Sequence, residues 1–453
     1  MRVATRRPLL ATAALAALAA LGACVGDGDV LNPALDPAAG SLFIRYVSLG
    51  NSITAGFQSA GIVDSTQRNA YPNLLARAAG IPFQQPMFAR PGCPPLMTAP
   101  LTASTAASTC VRVDSTHVPY PGNVAVPGVR IADLFAIPGG QISQLYTLIT
   151  GGRTEIQAMA DAQPTFVSAW IGNNDALSAA LSGTLGPLAA GADSNLTRLA
   201  SFQASVTAMA NSIKASGAQG AAIIGVVFAD SASPLLQPGA YFFLSRDAAG
   251  KFNGKPVNNN CSPVTALGTP NPLAFNLVSF QIVASALPEI NCDPASAQGG
   301  TFLLDAAERA VLGARIAAYN AALKAAADAN GWLYVNPMDI LRPELARVCG
   351  TAVSAGCPTG SNGRFNQVRK CQGLPAALAT GSAANIQTAV LTSCPVPPTG
   401  PTATFAAPNF FGFLISLDGV HPSTAAHVLI ARNLAGQINT KYGTKLNTLV
   451  DRT

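Results

Sequence analysis

The sequence predicts an α/β fold, a three-layer α/β/α domain on a mainly parallel sheet with disulfide-stapled loop insertions. Apolar runs at 42–49 (LFIRYVSL), 165–171 (TFVSAWI) and 221–228 (AAIIGVVF) are nearly continuous, as in strands buried on both faces. Segments with helical spacing at 71–79, 195–215 and 305–330 alternate with these runs, the order expected of a sheet covered on both sides. Glycines close several of the elements, among them Gly50, Gly80, Gly172 and Gly217.

Shorter elements complete the pattern. A short strand is expected at 123–126, a helix at 131–135 and a further short strand at 332–335. Residues 424–442 have the spacing of an amphipathic closing helix. Hydrophobic residues make up 49% of the 453 and charged residues 11%, the opposite of a disordered composition. The net charge of +6 includes Arg2, Arg6 and Arg7, and no Lys/Arg run is dense enough for a phosphate-backbone footprint. Nucleic acid is therefore not expected as a partner.

The N-terminus predicts export. Arg2, Arg6 and Arg7 precede a mainly apolar stretch at 9–20, too short for a spanning helix, and small residues follow at Gly22 and Ala23. This marks 1–23 as a signal peptide. The next residue, Cys24, makes the segment resemble a bacterial lipobox. That resemblance implies a diacylated Cys24, a membrane anchor, and a protein facing the periplasm or cell exterior. Residues 24–41 are rich in Gly, Asp, Pro and Ala and form a flexible tether to a domain at 42–445.

Eight cysteines remain after Cys24, an even number that suggests disulfides in an oxidising compartment. Their spacing favours the local pairs Cys93–Cys110, Cys261–Cys292, Cys349–Cys357 and Cys371–Cys394. There is no C-x-x-C, so neither a zinc ribbon nor a thioredoxin-type site is supported. Two loop-rich segments, 231–300 and 345–409, hold six of these cysteines and are expected as insertions in the one domain. Residues 371–417 carry no Asp, Glu, Lys or Arg, but their Pro, Gly, Ser and Thr content argues against a membrane span.

Histidine is scarce: His117, His421 and His427. Acyl transfer by serine needs an imidazole to take the hydroxyl proton. His421 lies in Asp418-Gly419-Val420-His421-Pro422, where an acid three residues earlier, beside a Gly, can fold back on the ring. His427 falls on the following helix, where packing or surface exposure explains it, and His117 lies in a Pro-rich loop. Ser52, in Gly50-Asn51-Ser52-Ile53-Thr54, follows the first strand, at the carboxyl edge where parallel sheets place their ligands. The G-x-S-x-G elbow of α/β-hydrolases does not occur in the chain.

Four segments together resemble the SGNH/GDSL hydrolase family, in family order. Residues 46–54 (YVSLGNSIT) are similar to its first block, 123–128 (NVAVPG) to its second, Gly172-Asn173-Asn174-Asp175 to the G-x-N-D of its third, and 418–422 (DGVHP) to its fifth. The resemblance implies a flavodoxin-like fold, Ser52 as nucleophile, His421 as its base and Asp418 as the orienter. It also implies an oxyanion hole made by the backbone N–H groups of Ser52 and Gly128 and the side-chain amide of Asn174. No metal or cofactor is implied. Asn51 stands where the family name has Asp, a position outside the catalytic set. Asp175 is expected as a helix cap and Trp170 as core.

These residues predict a serine ester hydrolase whose partner is an ester substrate, a lipid or an acylated glycan. The low charge and apolar approach favour lipid or other long-chain esters. The same triad would serve polysaccharide O-deacetylation or acetyl transfer. A silent glycan- or lipid-binding lipoprotein is the reading from another class. Phe405, Phe410, Phe411 and Phe413 precede the His421 loop and would either pack against the sheet or form an apolar lip for acyl chains.

Overall fold

A computed structural model describes residues 40–108, 110–114, 120–182, 185, 195–227, 234–296, 302–340, 371, 374–395 and 410–452. The signal segment, Cys24, nearly all of the tether, His117, the Cys349–Cys357 pair and Phe405 lie outside the described residues. The main elements run β1 (Tyr46–Gly50), α1 (Tyr71–Ala78), α2 (Gln141–Thr150), α3 (Glu155–Asp161), β2 (Phe166–Trp170), α4 (Asn174–Ser182), α5 (Leu199–Ala215), β3 (Gly220–Ile224), β4 (Leu236–Pro238), β5 (Leu277–Ser279), β6 (Leu303–Leu304), α6 (Ala306–Ala329), β7 (Leu333–Val335), α7 (Leu374–Ala379), α8 (Ala383–Ser393) and α9 (Thr424–Tyr442).

The central sheet has the order β1-β2-β3-β7, all parallel. β1, β2 and β3 are buried on both faces because side chains alternate and each face meets helices. Val47, Leu49, Val167, Ala169, Ala221 and Ile223 share a core with α2, α3, α5 and α6, in which Phe202 and Tyr319 stack at 3.9 Å. Tyr46, Phe166, Trp170, Ala222, Ile224 and Val335 share the opposite core with α1 and α9. The three-layer α/β/α fold is therefore present, with Trp170 in its core.

The segment expected as a strand at 123–126 makes a single parallel bridge, Asn123 to Ser48, on the free side of β1. The ladder stops there because its next donors are taken by side chains. Asn123 Oδ1 accepts the Ala125 N–H at 3.1 Å, and Glu155 accepts the Val126 N–H at 2.9 Å. With that segment counted second, the strand order is 2-1-3-4-5, the flavodoxin-like order, whose switch point lies between β1 and β2.

Other boundaries moved for local reasons. The helix expected from 195 starts at Leu199, because Thr197 N–H donates to the Asp175 carbonyl at 2.9 Å and keeps the preceding turn extended. The helix at 131–135 is a 3-10 turn, Ile131–Leu134. The long α6 begins where expected: Asp305 caps the Glu308 N–H at 2.8 Å and Glu308 returns a bond to the Asp305 N–H. α2 and α3 were not anticipated, since the loop-like composition around them hides their short apolar faces.

The two loop-rich insertions share one core. β4, β5 and β6 form a small antiparallel sheet, and Phe280, directly after β5, packs with Tyr241, Phe242 and Phe252. Leu374, Leu378, Ile386 and Val390 of α7 and α8 join the same cluster. Three of the expected disulfides are present: Cys93–Cys110, Cys261–Cys292 and Cys371–Cys394. Among the described residues, no helix is long and apolar enough to cross a membrane.

His427, on α9, is fully buried and accepts the Tyr71 N–H on Nδ1 at 3.2 Å, which ties α9 to α1 and places its own proton on Nε2. Burial, then the charge of His421, push its pKa down to about 3. The unfolded ring takes a proton near ~6.5. The resulting stability is complete above that pH and is lost as pH falls towards 3. Between pH 7 and 5, urea unfolding is expected to show the wild type losing about 2 kcal/mol more stability than His427→Gln. Parallel losses in both proteins would remove His427 as the cause.

Candidate active site

Ser52 opens a one-turn helix, Ser52–Ala55, directly after β1. Asn51 caps it, its Oδ1 accepting the Ile53 N–H at 3.1 Å. As first residue of the turn, Ser52 has an N–H with no acceptor inside the helix. The junction is tight. Gly50 has φ +150, and a side chain there would meet the Trp170 carbonyl at 2.3 Å, so only Gly lets β1 and β2 end this close together.

His421 Nε2 lies 2.9 Å from Ser52 Oγ, and His421 Nδ1 lies 2.8 Å from Asp418 Oδ2. The three side chains expected together are brought together, at the carboxyl end of β1 and beside the switch point. Ser52 is 7% exposed. The Phe57 ring stands 4.9 Å from the imidazole.

Asp418 is held by a dense set of donors. Its Oδ1 accepts the Val420 and His421 N–H groups, both at 2.9 Å, and the Ser416 hydroxyl at 3.0 Å. Its Oδ2 accepts from His421 and from the Ala60 N–H at 2.6 Å. Burial works to raise its pKa, but the His421 charge and these hydrogen bonds outweigh burial and hold the carboxyl well below its usual range. A carboxylate so held presents only acceptors to the ring, which fixes the tautomer with the proton on Nδ1 and leaves Nε2 free to accept.

The loop that supplies the Ala60 donor is itself unusual. Ser59 and Ala60 have φ of 52° and 56°, a left-handed pair without glycine, at about 1–2 kcal/mol per residue. Two bonds offset that cost: Ser59 N–H to Ser416 Oγ at 2.9 Å, and Ala60 N–H to Asp418. Ser416, Ser59 and Ala60 were not singled out from sequence, and nothing in their immediate neighbours signals the contact.

The expected oxyanion residues occupy the same edge. Gly128 is exposed and has φ +90, the left-handed region that favours Gly, next to the Ile142 side chain. Asn174, the first residue of α4, donates one of its two side-chain N–H groups to the Val129 carbonyl at 2.8 Å. Asp175 does not serve as the helix cap expected of it. Its Oδ2 reaches across to the Ile131 N–H at 3.0 Å, because α4 begins against the 129–131 loop and that amide has no ladder partner. Burial pushes the Asp175 pKa up to about 7, against these hydrogen bonds.

Glu155 is the carboxyl group that sequence reading missed. It is fully buried and accepts the N–H groups of Gly50 and Val126, each at 2.9 Å. Burial raises its pKa far above the usual range, against the lowering effect of those two bonds. Thr154-Glu155-Ile156-Gln157 is a legible capping box, with Thr154 accepting the Gln157 N–H, but that pattern announces a helix start and not two distant amides. Among the described residues, no group of three or more His, Cys, Asp or Glu side chains is placed to hold a metal ion.

The apolar lip is corrected in part. Phe410 and Phe411 are each 1% exposed and pack edge-to-face with each other and with Phe280 in the insertion core. They are too buried to meet an acyl chain, whereas Phe413 is 51% exposed.

No family model matches the chain, and no curated protein matches it. Among solved structures, a mutant of an acetyl-xylooligosaccharide esterase from Geobacillus Stearmophilus is similar over 87% of this chain and 93% of that one, at 12% identity and a TM-score of 0.31. A superposition this loose carries no information about fold or chemistry. The fold rests on the sheet order and layers described above, and the chemistry on the site itself.

Phe410→Ala is expected to cost about 3–5 kcal/mol in urea unfolding while leaving the acyl-chain preference of any esterase activity unchanged. A changed preference with unchanged stability would restore Phe410 to the lip.

Proposed function

We propose that the protein is a serine ester hydrolase acting through an acyl-enzyme, with Ser52 as nucleophile, His421 as general base and Asp418 as the group that orients it. The observation that carries this reading is the unbroken chain Ser52 Oγ–His421 Nε2, His421 Nδ1–Asp418 Oδ2, at 2.9 and 2.8 Å. Ser52 Oγ attacks the ester carbonyl carbon as its proton passes to His421 Nε2. Negative charge moves to the carbonyl oxygen, where the Ser52 and Gly128 N–H groups and the second N–H of Asn174 would stabilise it. The tetrahedral intermediate collapses, and His421 gives its proton to the departing alcohol. Water then repeats the attack on the acyl-Ser52 ester with His421 again as base, releasing the carboxylic acid and the free serine. Asp418 stays ionised throughout and stabilises the imidazolium.

Lipid or other long-chain esters remain the first choice of substrate. Polysaccharide O-deacetylation, or acetyl transfer to a polysaccharide, uses the same residues with a different acceptor. Release of p-nitrophenol from acetate to palmitate esters is expected to fall on the order of 10³-fold or more in Ser52→Ala. Equal rates in wild type and Ser52→Ala would overturn the nucleophile assignment. The chain-length profile separates lipase from deacetylase.

The described disulfides suit an oxidising compartment. Export and anchoring through a diacylated Cys24 form part of the same reading. In a bacterial host, the full-length chain is expected to take up labelled palmitate and Cys24→Ser to take up none. Equal labelling of Cys24→Ser would rule out lipidation at Cys24.

A further inference from the structure

We infer that Glu155 is a positioning residue for the oxyanion hole, one carboxyl group that sets where both backbone donors stand. The inference rests on the hydrolase reading above. Its basis is a coincidence of register. Glu155 Oε2 accepts the N–H of Gly50, two residues before Ser52, and Oε1 accepts the N–H of Val126, two residues before Gly128. Each segment runs from its bond with Glu155 directly into one of the proposed donors. The two oxygens of a carboxyl group are held apart by covalent bonds, so the two backbone segments are fixed relative to each other at one point.

Each segment has other contacts, and Glu155 adds one group bonded to both. The 123–128 segment leaves the sheet after its single bridge at Asn123, and its Val126 N–H donates to Glu155. β1 ends at Gly50, whose backbone is pressed against the Trp170 carbonyl. A small displacement of either would move a donor off the line to the oxyanion, and stabilisation of that charge depends on donors placed in advance.

The choice of residue also points to positioning. Glu155 is fully buried, each of its two side-chain oxygens accepts a backbone N–H, and the like charge of Asp133 adds to burial in disfavouring its ionised form. A buried acid with no ion-pair partner among the described residues is an expensive way to satisfy two amides. It is well suited to a task that needs two acceptors on one rigid plane. Glutamine offers one acceptor and one NH2 group, so Glu155→Gln sets a donor against one of the two N–H groups. Aspartate keeps both acceptors but draws them back by one methylene.

The experiment compares wild type, Glu155→Gln, Glu155→Asp and Ser52→Ala on one p-nitrophenyl ester, with active sites counted by fluorophosphonate titration. Affinity is also measured for an alkyl boronic acid, which forms a charged tetrahedral adduct on a serine. In Glu155→Gln, kcat per titrated site is expected to fall about 10-fold to 100-fold, with KM within about 3-fold. Boronate affinity is expected to fall in parallel, and Glu155→Asp should recover part of both losses. Lower thermal stability with kcat per titrated site at the wild-type value would overturn the inference and leave Glu155 a structural residue. If Glu155→Gln does not fold, Glu155→Asp decides alone: reduced kcat and boronate affinity support the inference, and wild-type values overturn it. Wild-type activity in Ser52→Ala would instead remove the hydrolase reading. An inert Ser52→Ala beside a fully active Glu155→Gln would remove only the role of Glu155.

Discussion

The geometry at the edge of the sheet depends on how a buried carboxylate is satisfied by the chain around it. Asp418 faces His421 only because Val420 and His421 N–H groups, the Ser416 hydroxyl and the Ala60 N–H fill its remaining lone pairs. Those donors come from two places far apart in sequence, the 416–421 turn and the 59–60 loop. The left-handed backbone at Ser59 and Ala60 is the local cost of that convergence. Without the carboxylate the strained loop would keep only its Ser59 bonds, and without the loop Asp418 would lose the Ala60 donor on the oxygen that faces His421.

The same economy recurs around the switch point. Glu155 joins Gly50 to Val126, Asp175 reaches Ile131, and Asn174 reaches Val129. The 126–131 segment thus has three side-chain attachments where an ordinary strand would have a ladder. Its shape is set by individual polar contacts, which allows Gly128 to stay exposed with φ +90 while its neighbours are buried. The insertions follow a different logic. Their aromatic residues and disulfides make a second core of their own, with Phe410 and Phe411 inside it and Gly419 of the histidine turn packed against Phe411.

Much of this was legible from sequence because it depends on local pattern. The continuous apolar runs gave the strands of the parallel sheet, and the spacing in Asp418-Gly419-Val420-His421 gave the one pair that meets within a single turn. Local cysteine spacing matched the three described disulfides. What was not legible depends on contacts between distant segments. Glu155 was passed over, since nothing near it in sequence names Gly50 or Val126. Asp175 looked like a cap for its own helix, and only the approach of the 129–131 loop redirects its carboxylate. The strand expected at 123–126 failed because side chains, which apolar periodicity does not register, took its donors.

The hydrogen bond between Ser52 and His421 spans 369 residues of chain. During synthesis, Ser52 exists for most of the chain's growth as an ordinary alcohol, with neither its imidazole nor the carboxylate that orients it. The loop at Ser59 and Ala60 likewise waits for Ser416 and Asp418 before its two N–H groups have their partners. A contact of such high sequence separation forms late and slowly. Any chemistry at Ser52 that needs His421 therefore arises only in a chain that has been made through the 418–421 turn and folded, and a chain cut short anywhere between them is inert however well its sheet has formed.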